Sequence, residues 1–257
     1  MKNLKNKIVL ITGATSGIGK AAAYSFAELG CDLILTARRQ DRLEKISEDL
    51  KSKHNIKVLT LVMDVQLYEN VKMNIESLNS NWSKINILIN NAGLARGLSK
   101  IQDGDVNDWY EMIDTNVKGV LYVSKFVIPL MLKNNSGHII NIGSIAGKEV
   151  YPMGNVYCAS KHAVDAITKS MRMELVDTPV KVSSLDPGLV ETEFSLVRYR
   201  GNEEKAKTTY KGIKPLTPND IAEAIIFTAT RNDNFVVAEM VLFPKAQASV
   251  RDIVRSS

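Results

Sequence analysis

The sequence predicts an α/β protein: a doubly wound parallel sheet of about seven strands, with helices on both faces, in a single domain. Three observations carry that expectation. Short apolar or β-branched runs alternate with helix-length amphipathic segments along the whole chain. A glycine-rich turn follows the first run. The 257 residues, 45% hydrophobic and 24% charged, suffice for one large core but are few for two independent domains. Strand, helix, strand repeated in this way makes a parallel sheet, because each crossover returns right-handedly.

The expected strands are Ile8 to Ile11, Leu33 to Leu35, Val58 to Met63, Ile85 to Ile89, Ile139 to Ile142, Val180 to Leu185 and Val236 to Phe243. Asp41 to His54 shows the character of a covering helix. Leu43, Ile46 and Leu50 recur at steps of three and four, with Arg42, Glu44, Lys45, Glu48 and Asp49 between them. The least regular stretch, Gly188 to Lys214, is long and charged, and so long an excursion in a compact fold suggests a substrate lid. No internal repeat, low-complexity tract or Pro/Gly/Ser-rich linker divides the chain.

The turn Thr12-Gly13-Ala14-Thr15-Ser16-Gly17-Ile18-Gly19 sits between a strand and a helix, where backbone must bend sharply and come close to a pyrophosphate. The helix beginning near Gly17 would aim its unpaired N–H groups at the phosphates. This context makes the fold Rossmann-type, with Gly13, Thr15, Ser16, Gly17, Ile18 and Gly19 as cofactor contacts. The second strand runs into Arg38-Arg39, where an NAD site would place a carboxylate. Two guanidiniums there match a ribose 2′-phosphate, so NADP is expected over NAD; the plainer alternative is that they only begin a solvated helix. Asp64-Val65 ends the third strand, with Asp64 either on the adenine amino group or capping the next helix. Asn90-Asn91-Ala92-Gly93 ends the fourth, with Asn90, Ala92 and Gly93 near the adenosine ribose and Asn90 also able to tie the sheet together.

Tyr-x-x-x-Lys occurs three times, at Tyr68/Lys72, Tyr157/Lys161 and Tyr210/Lys214. Thirteen residues before each Tyr stand Asn55, Ser144 and Val197, and only Ser144 follows an apolar run fit for a buried strand. On one helix, Tyr157 and Lys161 share a face. An ammonium about 4 Å from a phenol, at an effective dielectric of about 20, attracts phenolate by about 4 kcal/mol. That would draw the Tyr157 pKa down from about 10 and let it exchange a proton near neutral pH. Ser144 would hydrogen-bond the same substrate oxygen. It has no Gly-x-Ser-x-Gly elbow, and His138 has no acidic partner, so Ser144 is not expected to be a nucleophile. Asn116 is expected inside a long helix, as either a solvent-facing or a buried functional residue.

Two cysteines and three scattered histidines give neither a disulfide framework nor metal-ligand spacing, so no metal is expected. Cys158, next to Tyr157, is either a redox-sensing thiol or a small packing residue. The net charge of +5 arises from 33 basic residues interspersed with 28 acidic ones, without the basic, aromatic-laced stripe of a nucleic-acid binder. No apolar run reaches the roughly 18 residues of a membrane span. The N-terminus runs into a strand rather than a signal-peptide core, so the expected compartment is the cytoplasm.

Taken together, these motifs resemble the short-chain dehydrogenase/reductase family over nearly the whole chain. The resemblance implies that Asn116, Ser144, Tyr157 and Lys161 form a catalytic tetrad, with Asn116 holding a water in a proton relay and Lys161 also binding the nicotinamide ribose. Pro187, Gly188, Val190 and Thr192 would line the nicotinamide and diphosphate side. The stretch Pro187 to Gly201 closely resembles the branch of NADP-dependent 3-hydroxy acid dehydrogenases, also described as serine or allo-threonine dehydrogenases. That branch implies small hydroxy acids or the corresponding semialdehydes as substrates, and a cytoplasmic homotetramer. Arg198 would anchor the substrate carboxylate, or else serve in surface or inter-subunit pairing. The alternatives are a broader carbonyl, steroid or ketoacyl reductase, and a protein that senses NADP without turnover.

Overall fold

The computed structural model describes residues 2–256. Seven strands form one sheet: β1 (Ile8–Thr12), β2 (Asp32–Ala37), β3 (Val58–Val62), β4 (Ile85–Asn90), β5 (Gly137–Ile142), β6 (Val180–Pro187) and β7 (Glu239–Leu242). Their spatial order is β3-β2-β1-β4-β5-β6-β7, and every pairing is parallel. From β1 the chain winds outward through β2 and β3, then crosses back to β4 on the other side of β1. The crevice outside the carboxyl ends of β1 and β4 is therefore the topological switch point, where open α/β sheets bind ligands.

Alternation within the strands fills both faces. Val9, Ile11, Leu33 and Leu35 meet Ala22, Ala23 and Phe26 of α1 (Gly17–Glu28), Leu43, Ile46 and Leu50 of α2 (Gln40–Lys53), and Ile221 and Ile225 of α9 (Pro218–Ala229). Leu10, Ile34, Leu88, Ile139 and Val182 meet Val71 and Ile75 of α3 (Tyr68–Glu76), Val123 and Val127 of α5 (Gly119–Lys133), and Met171 of α6 (Asn155–Glu174). A side chain such as Ile34, wholly withdrawn from water, contributes on the order of 2–3 kcal/mol. In β4 the register slips between Ile8↔Ile85 and Val9↔Ile87, and Asn86 Oδ1 accepts the Ile8 N–H at 3.0 Å across the irregularity. The extra residue sends Ile85 and Ile87 to opposite faces, so the rest of β4 stays in phase with the two cores.

Four local outcomes bear on the site. The covering helix expected at Asp41 to His54 is α2, shifted by one residue. The seventh strand is shorter than expected, running from Glu239 to Leu242; upstream of it, the carbonyls of Arg231, Asn232 and Phe235 hold the Lys181 ammonium. Asn116 does not sit in a regular helix. Asp114–Lys118 forms a π-helical turn between α4 (Val106–Ile113) and α5. The irregular stretch after β6 carries two short helices, α7 (Phe194–Arg198) and α8 (Glu203–Thr208), and then α9 is started by a capping box between Thr217 and Asp220 with Pro218 in its first turn.

Candidate active site

A cleft of about 690 Å³ opens along the carboxyl ends of β1, β2, β4, β5 and β6, within the size range of cofactor and substrate sites. Its wall includes Thr15, Arg38, Asp64, Gly93, Ser144, Tyr157, Lys161, Pro187 and Arg198, so most residues singled out from the sequence meet in one place. Gly13, Ser16, Gly17, Ile18, Arg39, Val65, Ala92, Gly188, Val190 and Thr192 also line it. Gly19, Asn90 and Asn116 lie behind the wall.

At one end, the glycine turn is held against β4. The Thr12 hydroxyl accepts the N–H groups of Asn91 and Ala92, both at 3.0 Å, and Asn91 Nδ2 donates to the carbonyls of Thr12 and Gly13 at 2.9 and 3.1 Å. Gly13 has φ +65°, and a Cβ on it would stand 3.0 Å from Ala92 Cα. A Cβ on Gly19 would fall 2.6 Å from the Gly13 carbonyl, so that glycine sets the closeness of helix and turn without touching the cleft. Helix α1 starts at Gly17 with no side-chain cap from Ser16 and no acidic residue in its first turn. Its amide donors face the cleft, which suits a diphosphate.

Arg38 and Arg39 diverge beyond β2. Arg38 Nη1 lies 4.0 Å from Asp64 Oδ2, while Arg39 Nη2 donates to Thr15 Oγ1 at 3.1 Å. Asp64 does not cap α3, whose N-cap is Leu67; its Oδ1 accepts the Gln66 N–H at 3.0 Å and so shapes the loop. Asn90 is spent on the scaffold: its Nδ2 reaches Ser124 Oγ at 3.1 Å and Asn141 Oδ1 at 2.9 Å, and Asn141 continues to Thr168 on α6 at 2.8 Å. The Asn90 side chain thus ties the sheet to the helix layer behind it.

At the other end, β5 delivers Ser144, whose Oγ accepts the Ala146 N–H at 3.1 Å and starts a 3₁₀ turn, Ile145–Gly147. Tyr157 and Lys161 share the buried face of α6. Lys161 Nζ donates to the Ile142 carbonyl at 2.9 Å, and burial pulls its pKa down to about 8, against a smaller opposing pull from Asp186. Asn116, 1% exposed, clamps Leu94 from both sides, accepting its N–H at 2.9 Å and donating to its carbonyl at 2.8 Å, and it also donates to Ser160 Oγ at 2.9 Å. Asn116 is therefore buried rather than solvent-facing, and both of its Nδ2 hydrogens are taken by protein acceptors. A Cβ on Gly93 would approach Asn116 Oδ1 to 3.3 Å and Lys161 Nζ to 3.5 Å, so only a glycine-sized gap separates these groups.

The phenol corrects one expectation. Its pKa is raised, not lowered: burial is the largest cause, and Tyr151 adds to it, while Ser144 and Arg198 pull the other way. Lys161 Nζ makes its hydrogen bond to the Ile142 carbonyl and not to the phenol. The nearby cation is Arg198, whose guanidinium carbon lies 5.5 Å from the Tyr157 ring centroid. Arg198 donates through Nε to the Gly97 carbonyl at 3.1 Å and through Nη2 to Tyr151 Oη at 2.9 Å. Cys158 is 1% exposed, and burial raises its thiol pKa, which fits packing rather than redox sensing.

Several site residues were not singled out in the sequence. Tyr151 precedes α6 and gives no local signal. Gln247 accepts the Leu189 N–H at 2.9 Å, and Arg255 Nη2 donates to the Thr209 carbonyl at 3.1 Å. Both belong to the C-terminal tail, which returns to the cleft only in three dimensions. Lys148 forms a partly buried ion cluster with Asp165, with Glu239 at 2.6 Å and with Asp186 at 3.6 Å, below the Ser144 loop. Among the described residues no group of three or more His, Cys, Asp or Glu side chains could hold a metal ion, and no helix is long and apolar enough to cross a membrane.

A glycine turn at the switch point of a doubly wound sheet, with a serine, a tyrosine and a lysine gathered at neighbouring strand ends, defines an α/β oxidoreductase. Residues 7–202 match the family model described as short chain dehydrogenase, and the chain belongs to that family. It is 44% identical over 256 residues to the NADP-dependent 3-hydroxy acid dehydrogenase of Schizosaccharomyces pombe, covering 99% of each chain. It is 42% identical over 242 residues to sulfoacetaldehyde reductase 2 of Chromohalobacter salexigens, covering 94% of this chain and 95% of the relative. Among solved structures, the closed form of serine dehydrogenase complexed with NADP+ superposes with a TM-score of 0.90 at 39% identity, covering 97% of this chain and 100% of the other.

Proposed function

We propose that this protein is an NADP-dependent oxidoreductase that moves a hydride between the cofactor and the 3-hydroxyl carbon of small 3-hydroxy acids, or the corresponding semialdehydes. The carrying observation is a cation in the reacting half of the cleft: Arg198, 5.5 Å from the Tyr157 ring centroid on the lid helix α7. A small anionic substrate is also what links the two relatives, one named for 3-hydroxy acids and the other for sulfoacetaldehyde.

Bound NADP supplies the hydride acceptor, or in the reverse direction NADPH the donor. The donor-rich start of α1, the close turn at Gly13 and the guanidiniums of Arg38 and Arg39 fit its phosphates. Tyr157 carries the proton to or from the substrate oxygen, and Ser144 donates a hydrogen bond to that same oxygen. Lys161 binds the nicotinamide ribose, with Asn116 fixing the Leu94 segment beside it. Segment 188–214 acts as the lid. Because burial holds the phenol protonated, carbonyl reduction proceeds at neutral pH, whereas oxidation of the hydroxy acid gains rate as pH rises and the phenol ionises.

The test is initial-rate absorbance at 340 nm with NADP or NAD against L-serine, L-allo-threonine, 3-hydroxypropionate and a neutral secondary alcohol. NADP-linked oxidation of the acids alone supports the assignment. Activity confined to neutral alcohols would replace it with a broad carbonyl reductase.

A further inference from the structure

The adenosine end of the cleft holds a contact that neither catalysis nor the substrate anchor uses. Glu193 stands immediately before α7, at the base of the lid, and reaches across to α2. Arg42 Nη1 donates to both of its carboxylate oxygens, at 2.9 and 3.0 Å, and Arg39 Nη1 lies 3.5 Å from Oε2. Arg39 is the same side chain whose other nitrogen is on Thr15, and Thr15, Arg38, Arg39, Asp64 and Glu193 all line the cleft.

We propose that Glu193 is a specificity-determining residue for the adenosine end of the cofactor: its carboxylate takes the anion seat at Arg39 and Arg42, competes there with a ribose 2′-phosphate, and thereby couples the base of the lid to recognition of that phosphate. This rests on the assignment of NADP as cofactor. Three guanidiniums, Arg38, Arg39 and Arg42, face two carboxylates, Asp64 and Glu193, which leaves one net positive charge for a group that carries nearly two negative charges at neutral pH. A 2′-phosphate read by Arg39 must share that guanidinium with Glu193 or displace the carboxylate from it. A 2′-hydroxyl, being uncharged, meets no such competition.

The ion pair is not there chiefly for stability. The Arg39, Arg42 and Glu193 side chains are all about two-fifths exposed, at 43%, 41% and 44%, and exposed pairs of that kind add little to folding. Its position has a consequence instead: the residue after Glu193 is Phe194, whose ring centroid lies 5.6 Å from that of Tyr157, and α7 ends with Arg198. Movement of Glu193 away from Arg39 is thus passed directly to the helix that covers the reacting groups.

Isothermal titration calorimetry of the wild type and Glu193→Gln with 2′,5′-ADP, 5′-AMP, NADP and NAD tests this, with thermal melts confirming that the variant is folded. Removing one negative charge beside the phosphate seat is expected to tighten 2′,5′-ADP and NADP roughly three- to tenfold at low salt, with the gain shrinking at about 0.5 M salt. Binding of 5′-AMP and NAD should not change. Equal wild-type affinity for 2′,5′-ADP and 5′-AMP would overturn the cofactor assignment, and this proposal with it. A wild-type preference for 2′,5′-ADP that Glu193→Gln leaves unchanged or weakens, or an equal gain for all four ligands, would overturn the role of Glu193 alone.

Discussion

Replacing Arg198 by Met keeps most of the aliphatic stem and removes the charge over the reacting groups. In the structure the guanidinium makes two hydrogen bonds, to the Gly97 carbonyl at 3.1 Å and Tyr151 Oη at 2.9 Å. The proposed lid keeps other fastenings nearby: Gly97 N–H still donates to the Arg198 carbonyl at 3.0 Å, and Arg96 Nη1 to the Val197 carbonyl at 2.5 Å. The variant should therefore fold with its lid in place. A hydrogen bond to a charged group is worth about 1.5–3 kcal/mol, so losing the carboxylate anchor should raise KM for 3-hydroxy acids roughly ten- to 150-fold. A neutral carbonyl substrate has no such bond to lose, and its kcat/KM should fall by less than about fivefold. Arg198→Lys, which keeps the charge without the planar fork, should lie between the two. The readout is the ratio of kcat/KM for acid over neutral substrate. A parallel loss for both would refute the anchor and leave Arg198 as a lid fastening.

Asn116→Ala should cost about 2–4 kcal/mol and lower Tm by roughly 5–15 °C in calorimetry, because it strands the buried N–H and carbonyl of Leu94. Lys148→Met leaves Asp186, 1% exposed, without its nearest cation, and should destabilise by about 3–5 kcal/mol in urea melts; adding Asp186→Asn should recover part of that. Burial of His138 pulls its pKa from 6.5 down to about 3. Above about 6.5 both folded and unfolded states hold it neutral; below, the unfolded chain takes up a proton that the folded one refuses. Stability from this group should therefore fall by about 1.4 kcal/mol per pH unit as pH drops from about 6.5 toward 3, and denaturant melts of His138→Gln should lack that slope.

The strands were legible because a parallel sheet covered on both faces needs near-continuous apolar runs, such as Ile85 to Ile89 and Ile139 to Ile142, each broken by a single Asn. Tyr157 and Lys161 were legible because helical spacing alone places them together, and the glycine turn because no other residue fits its backbone. The π-turn at Asp114–Lys118 was not, since its residues would equally continue an ordinary helix. The Tyr157 pKa departs from the expected direction for a related reason. Sequence spacing supplies a charge and a distance, but burial is the larger cause here, and burial exists only once α6, α7 and the Ser144 loop have met. Glu193, Gln247 and Arg255 reach the cleft from the base of the lid and the C-terminal tail, far along the chain from the motifs they serve.

The claim that hydride chemistry here depends on the Tyr157 proton is tested most directly by Tyr157→Phe, comparing NADP affinity by calorimetry with turnover at 340 nm. The account predicts NADP binding within about threefold of wild type, and turnover lower by roughly 10²- to 10⁴-fold at every pH. A folded, cofactor-binding variant that keeps turnover within tenfold of wild type would contradict it.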